Sequence, residues 1–261
     1  MAETTMRNER KWTARLVPGV LSFVLTLALG LGTAAPVDGQ VLMKLENENP
    51  YGYALFDILE VAPGLDDRPA RWDMIAFYGK QYQRLWIKSE GDISTLSRSG
   101  EFDLQALYSR VFAPYWEVQV GGRVEVDYEG EDLRSRGHLV LGLEGLAPYW
   151  FELEPSIYIS ENGDVSAEFA GSLDLFVTQR LLLQPRLDVF AAVQEVPEWG
   201  ISSGLNGVGL GLRMRYEITR EFAPYLGIDW QRSTGGAADL ARLAGREVSR
   251  SALVAGVRMW H

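Results

Sequence analysis

From Tyr51 to the end of the chain, apolar and polar residues alternate with a period of two, and no long stretch of helical period competes. Val118, Val120, Gly122, Val124 and Val126 share one face of a predicted strand, while Glu117, Gln119, Arg123, Glu125 and Asp127 share the other. Phe151, Leu153, Pro155, Ile157 and Ile159 oppose Glu152, Glu154, Ser156, Tyr158 and Ser160 in the same way. Leu181, Leu183, Pro185, Leu187 and Val189 oppose Gln184, Arg186 and Asp188. Leu210, Leu212, Met214, Tyr216 and Ile218 oppose Arg213, Arg215 and Glu217. The last run sets Leu253, Ala255, Val257 and Met259 against Arg250, Gly256 and Arg258. Each run is about ten residues long, the length that a tilted strand needs to cross a bilayer.

A soluble antiparallel sheet also alternates, so the connections must decide. Short links at 113–115, 147–149, 178–180 and 219–223 take turns with links at 128–136, 160–163, 192–206 and 232–248 that are mostly longer and richer in Gly, Ser and charge. Short turns on one side and longer loops on the other are the pattern of an outer-membrane barrel. Ala-Pro-Tyr occurs three times, at Ala113-Pro114-Tyr115, Ala147-Pro148-Tyr149 and Ala223-Pro224-Tyr225, each between two alternating runs. Proline lacks an N–H and belongs at a turn or a strand start, so the repeat marks the periplasmic rim and its aromatics ring that edge. The predicted fold is therefore all-β, an antiparallel transmembrane β-barrel with short periplasmic turns and longer outer loops. Ten strands run from Leu85 to Trp260, and two more at Tyr53–Ala62 and Arg71–Tyr78 bring the favoured count to twelve, with ten as the alternative. An even number returns the end of the chain to the periplasmic side.

The N-terminus sharpens the location. Arg7, Arg10, Lys11 and Arg15 precede an apolar run from Leu16 to Leu31, and Gly32-Thr33-Ala34-Ala35 offers small residues for cleavage. That order reads as a signal peptide over 1–35, followed by a periplasmic segment at 36–50 and the barrel at 51–261. The chain has no cysteine, which removes the disulfide scaffold open to small exported proteins. A mean hydropathy of −0.07 excludes a polytopic helical membrane protein but not a barrel, whose strands are half polar. A net charge of −10 argues against nucleic acid as a partner.

If the apolar face meets lipid, the other face lines a lumen. Its charges are Glu90, Glu125, Glu144, Glu152, Glu154, Asp174, Asp188, Glu217 and Asp229 against Lys88, Arg123, Arg186, Arg213, Arg215 and Arg258. Two compatible readings stand: ion pairs that fill a small barrel, and an acidic passage that favours cations. Catalysis finds little support and no enzyme is expected. The two histidines are His138 and His261, and neither a His-x-Glu nor a Cys-x-x-Cys zinc pattern occurs. His138 is in phase with Val140, Gly142 and Glu144 near an outer loop.

Several phrases go beyond a generic barrel. They include Tyr82-Gln83-Arg84-Leu85-Trp86-Ile87-Lys88-Ser89-Glu90-Gly91, Gly145-Leu146-Ala147-Pro148-Tyr149-Trp150-Phe151-Glu152 and Thr178-Gln179-Arg180-Leu181-Leu182-Leu183-Gln184-Pro185-Arg186. Arg220-Glu221-Phe222-Ala223-Pro224-Tyr225 and Val254-Ala255-Gly256-Val257-Arg258-Met259-Trp260 continue the series. In these phrases and their order the chain resembles the copper resistance protein B family from about residue 50 onward. The resemblance implies a barrel in the outer membrane of a Gram-negative bacterium that binds or moves copper ions, with outer-membrane lipid and periplasmic copper-resistance proteins as partners. It implies copper as the ion handled. Many members carry a Met- and His-rich segment before the barrel, whereas residues 36–70 here hold only Met43 and no histidine. Met214 and Met259 fall on the lipid-facing phase, and the pattern leaves the phase of Met74 open. The ligand candidates are thus Met43 and His138. A barrel that has lost metal handling and serves envelope integrity is the alternative function.

Overall fold

The structure, a computed structural model, describes residues 49–261. The predicted signal peptide, Met43 and most of the 36–50 segment lie outside the described residues. The strands are β1 (Tyr51–Val61), β2 (Pro69–Gly79), β3 (Gln83–Ser94), β4 (Ser99–Ala113), β5 (Trp116–Glu129) and β6 (Asp132–Ala147). They continue as β7 (Phe151–Ser160), β8 (Val165–Leu173), β9 (Leu175–Phe176), β10 (Leu181–Ala192), β11 (Gly204–Tyr216), β12 (Phe222–Ser233) and β13 (Ser249–Trp260). All neighbours pair antiparallel, and β13 returns to β1, with Phe56 opposite Met259, so the sheet closes. The result is a twelve-strand barrel in which β9 is an extra two-residue piece.

That extra piece has a cause in the sequence. Pro185 sits in the middle of β10 and has no N–H to give. Pairing with β10 stops after Leu183↔Leu175 and resumes at Arg186↔Ser172, so one strand is written as β8 and β9 with Asp174 between them.

The burial pattern separates this barrel from a soluble sheet. In β5, Val118 and Val120 are 43% and 42% exposed, while Glu117 and Gln119 are 5% and 2% exposed. Leu85, Leu210, Leu226 and Leu253 continue the exposed apolar exterior on other strands. The sheet thus buries its polar face and exposes its apolar one, the reverse of a water-soluble sandwich. The inner face is not wholly polar. Trp86, Leu107, Val140 and Tyr158 form a buried cluster with Ile75 and Phe77 against it, and the Trp86 Nε1 donates to Ser109 Oγ at 2.9 Å.

Two of the Ala-Pro-Tyr copies close short turns. Tyr115 and Tyr149 take φ of 66° and 69°, in the left-handed region, and both are exposed at the rim. The third behaves differently. The turn before β12 spans 217–221, so Ala223-Pro224-Tyr225 falls inside the strand, and Tyr225 points inward at 5% exposure.

Two connections also depart from expectation. The 128–136 link is not a loop: β5 and β6 run on to Glu129 and Asp132, with Gly130 at φ 67° making a tight turn. Cross-strand ion pairs hold these polar arms in the ladder, Arg134 Nη2 to Asp127 Oδ2 at 2.7 Å and Arg136 Nε to Glu125 Oε2 at 2.8 Å. The 232–248 link carries a helix, α1 (Gly235–Leu243), which buries Ala237, Ala238 and Ala241. Alanine at that spacing gives a short amphipathic helix its flat face. Thr234 fixes its start, donating its N–H to Asn206 O and its hydroxyl to Leu205 O, both at 2.8 Å.

Close packing of the strands yields a paired prediction. A Cβ at Gly121 would collide with the backbone carbonyl of Ala106, while one at Gly122 would meet only His138 O at 3.8 Å. Gly121→Ala is expected to destabilise the barrel by about 1–3 kcal/mol and Gly122→Ala to leave it nearly unchanged. The readout is the temperature at which the faster gel mobility of the unboiled barrel is lost. Equal temperatures for the two variants would contradict the strand register.

Candidate functional site

The sequence puts charge on every second residue of the inner face, and closure brings those charges together across the lumen. Arg186 on β10 is the clearest case. Its Nη1 lies 2.9 Å from Asp73 Oδ2 on β2 and 3.8 Å from Asp57 Oδ2 on β1, and its Nε lies 3.0 Å from Asp188 Oδ1. Strands β11, β12, β13 and β1 separate β10 from β2, so this contact spans the interior. Asp57 also takes Arg258 Nε at 2.6 Å. From the other side, Lys88 Nζ on β3 reaches Glu144 on β6 and Glu154 on β7, both at 2.8 Å, and Gln119 Nε2 donates to Glu144 at 2.7 Å. Together these groups make a septum of ion pairs across the lumen.

Other pairs brace the septum. Arg213 on β11 holds Glu60 on β1 through two bonds, at 2.9 Å from Nε and 2.7 Å from Nη2, and Tyr225 Oη donates to the same carboxylate at 3.0 Å. Arg213 Nη2 and Arg71 Nη1 also approach Asp229, at 3.4 and 3.5 Å. Arg215 reaches Asp174, the residue freed by the break at Pro185, at 2.5 Å. Arg123 Nη2 lies 2.7 Å from Asp103 and its guanidinium stacks on the Tyr158 ring at 4.6 Å. Buried charges of this kind are tolerated because each guanidinium has a carboxylate within reach, although Arg123 Nε and Arg215 Nε and Nη1 are buried without a hydrogen-bond partner.

Not every inner carboxylate is neutralised this way. Glu90 and Glu152 form no ion pair among the described residues, and Glu152 accepts only a 3.4 Å bond from Ser172 Oγ. Glu217 lies in the turn after β11, at the rim, where its N–H donates to Arg180 O at 2.8 Å.

The candidate metal ligands do not converge. His138 is 8% exposed on the inner face; its Nε2 is 3.9 Å from Glu125 Oε2 and its Nδ1 has no partner. The nearer partner of Glu125 is Arg136. Met43 lies outside the described residues, Met74 shares the exterior phase with Tyr78, and Met214 is half exposed outside. Among the described residues, no group of three or more His, Asp or Glu side chains is placed to hold a metal ion.

One loop reaches across the long-loop mouth. The segment between β10 and β11 carries a short 3-10 turn at Pro197–Trp199. The Trp199 ring receives the Arg136 guanidinium at 4.3 Å and that of Arg134 at 5.5 Å, and Arg134 also bonds the Glu198 carbonyl. Because β7 and β8 separate β6 from β10, this contact draws the loop over the opening. Periodicity carries no sign of it, since Trp199 lies in a stretch without a strand pattern.

Comparison with known proteins finds relatives along the barrel. The profile of Copper resistance protein B precursor (CopB) matches residues 51–261. Copper resistance protein B of Escherichia coli is 33% identical over 206 residues, covering 79% of this chain and 68% of its own length. The Copper resistance protein B homolog of Pseudomonas syringae pv. tomato (strain ATCC BAA-871 / DC3000) is 33% identical over 208 residues, covering 80% and 69%. A chain solved in work on in-meso crystallization of membrane proteins aligns with a TM-score of 0.45 and 14% identity over 81% of this chain and 83% of its own. The barrel described above, matched end to end by that profile, belongs to the copper resistance protein B family.

Proposed function

We propose that the chain is an outer-membrane barrel that handles copper as a transient cargo in copper tolerance. The exposed apolar exterior is the support for a membrane location, and the family is the support for copper. One observation carries the reading of passage over storage. Among the described residues, the inner face keeps carboxylates such as Glu90 that are free of ion pairs, and no three or more of its His, Asp and Glu side chains are grouped to hold a metal. Soft Cu(I) selects thioethers and thiolates, whereas Cu(II) accepts mixed nitrogen and oxygen donors. The described methionines from Met74 onward sit outside, so the interior favours Cu(II). The chain acts by binding and guiding an ion, with no catalytic step assigned to any side chain. Periplasmic copper-resistance proteins would deliver or receive the ion at the short-turn end. The ion-pair septum also favours a second reading, a structural barrel for envelope integrity.

Calorimetric titration of the reconstituted barrel with Cu(II) tests passage against storage. The expected result is no site tighter than about millimolar, near −4 kcal/mol, with His138→Ala and Met43→Ala unchanged from the parent. A submicromolar site abolished by either substitution would overturn the passage reading.

A further inference from the structure

Outside the barrel, α1 packs on β11 and β12 and leaves a groove of about 400 Å³ between helix and sheet. Val208, Trp230 and Val248 line its apolar part, and Arg232 and Arg242 line it with charge. Residues two apart on a strand share a face, so Trp230 and Arg232 continue the outward row of Leu226 and Ile228 on β12. The groove therefore stands where the apolar exterior of Leu210, Ile228 and Leu253 gives way to the polar long-loop end. Trp230 is held there by its Nε1 donating to Ser249 Oγ at 3.1 Å. Amphipathic rings at this height mark the boundary between hydrocarbon and headgroups.

The charge of the groove is not balanced from within. Arg242 pairs with Asp239 on the same helix at 2.5 Å, while Arg232 forms no ion pair or side-chain hydrogen bond among the described residues. An unpaired guanidinium, with its fork of donors, matches the geometry of a phosphate. The apolar wall below it runs without interruption into the exposed leucines. A free anion would use the guanidinium alone; a lipid would use both parts.

We propose that this groove seats the phosphate of an anionic membrane lipid on Arg232, with the acyl chains lying along Leu210, Ile228 and Leu253. The proposal rests on the membrane reading given above. It assigns α1 a role that the barrel alone does not need, that of walling one side of a lipid site.

The test uses the full chain inserted in phosphatidylcholine vesicles containing phosphatidylglycerol, extracted gently and weighed by native mass spectrometry. The parent should retain phosphatidylglycerol, and Arg232→Gln should lower that occupancy roughly tenfold, the scale of one lost charge-assisted contact. Arg232→Lys should restore part of it, and Arg220→Gln, at the opposite rim, should change nothing. Excess inorganic phosphate should not displace the lipid. Equal retention by Arg232→Gln and Arg220→Gln would overturn the site while leaving insertion intact. Displacement by inorganic phosphate would overturn the lipid as occupant in favour of a soluble anion. Failure of the parent to insert at all would overturn both this site and the membrane reading on which it rests.

Discussion

Arg213→Met is expected to cost the barrel about 3–5 kcal/mol, the penalty for stranding one partner of a buried ion pair. Arg213 and Glu60 are both nearly inaccessible, at 2% and 4% exposure, and their two bonds of 2.7 and 2.9 Å join β11 to β1 across the interior. Without the guanidinium, Glu60 keeps only the Tyr225 hydroxyl at 3.0 Å. A carboxylate with one neutral donor in a closed space is poorly solvated. Adding Glu60→Gln to Arg213→Met removes the stranded charge, so the double variant should regain most of the lost stability. The measurement is urea unfolding of the barrel in lipid, taken as a double-mutant cycle. A single-variant cost under about 1 kcal/mol would show that water screens the pair as it does at a surface, and that the interior is open at this level.

The second large effect is on ion flow. Arg186 and Lys88 are the cations that draw opposite walls together, and the carboxylates they hold are Asp73, Asp57, Asp188, Glu144 and Glu154. Removing both positive charges, in Arg186→Gln with Lys88→Gln, leaves Asp73, Asp188, Glu144 and Glu154 without their cations, while Asp57 keeps Arg258. Like charges then repel, side chains swing to the walls, and the lumen becomes negative at that level. In a planar bilayer the parent should pass little current. The double variant should pass several-fold more, with a reversal potential in a salt gradient that shows preference for cations. An unchanged current would mean that the septum is not what closes the barrel, and the loop carrying Trp199 across the long-loop mouth would become the leading barrier. Anion preference would contradict the assignment of the inner carboxylates.

Much of this was legible in the sequence, for a physical reason. A strand with one face in each environment writes its orientation into every second residue, and β5, β7, β10 and β11 do so with almost no exceptions. That alternation yields the closed twelve-strand count as well as the inward direction of Arg186, Arg213 and Arg215. What resisted was whatever depends on partners far apart in sequence. The third Ala-Pro-Tyr looks like the other two, yet the longer 217–221 turn shifts it into β12 and aims Tyr225 at Glu60. The polar 128–136 stretch reads as loop, because the ion pairs that keep it in a ladder, Arg134 with Asp127 and Arg136 with Glu125, are visible only once register is known. Trp86 and Leu107 occupy the inner phase as apolar residues, where a rule of polar-in would not look for them. Cross-barrel contacts such as Lys88 with Glu154 are set by the tilt and stagger of the whole ring, which no local pattern encodes. For the metal candidates the structure adds a geometric reason for restraint. His138 faces Glu125 at 3.9 Å, with Arg136 already on that carboxylate and no further donor converging.

The central claim is that this barrel handles copper, and the most direct measurement is the copper tolerance and cell-associated copper of bacteria lacking the chain, with the parent chain restored alongside. Loss is expected to make cells more sensitive to copper and to change the copper they retain, and the parent chain to reverse both. Unchanged sensitivity and unchanged cell-associated copper, accompanied by sensitivity to detergent, would contradict it and leave a structural barrel in its place.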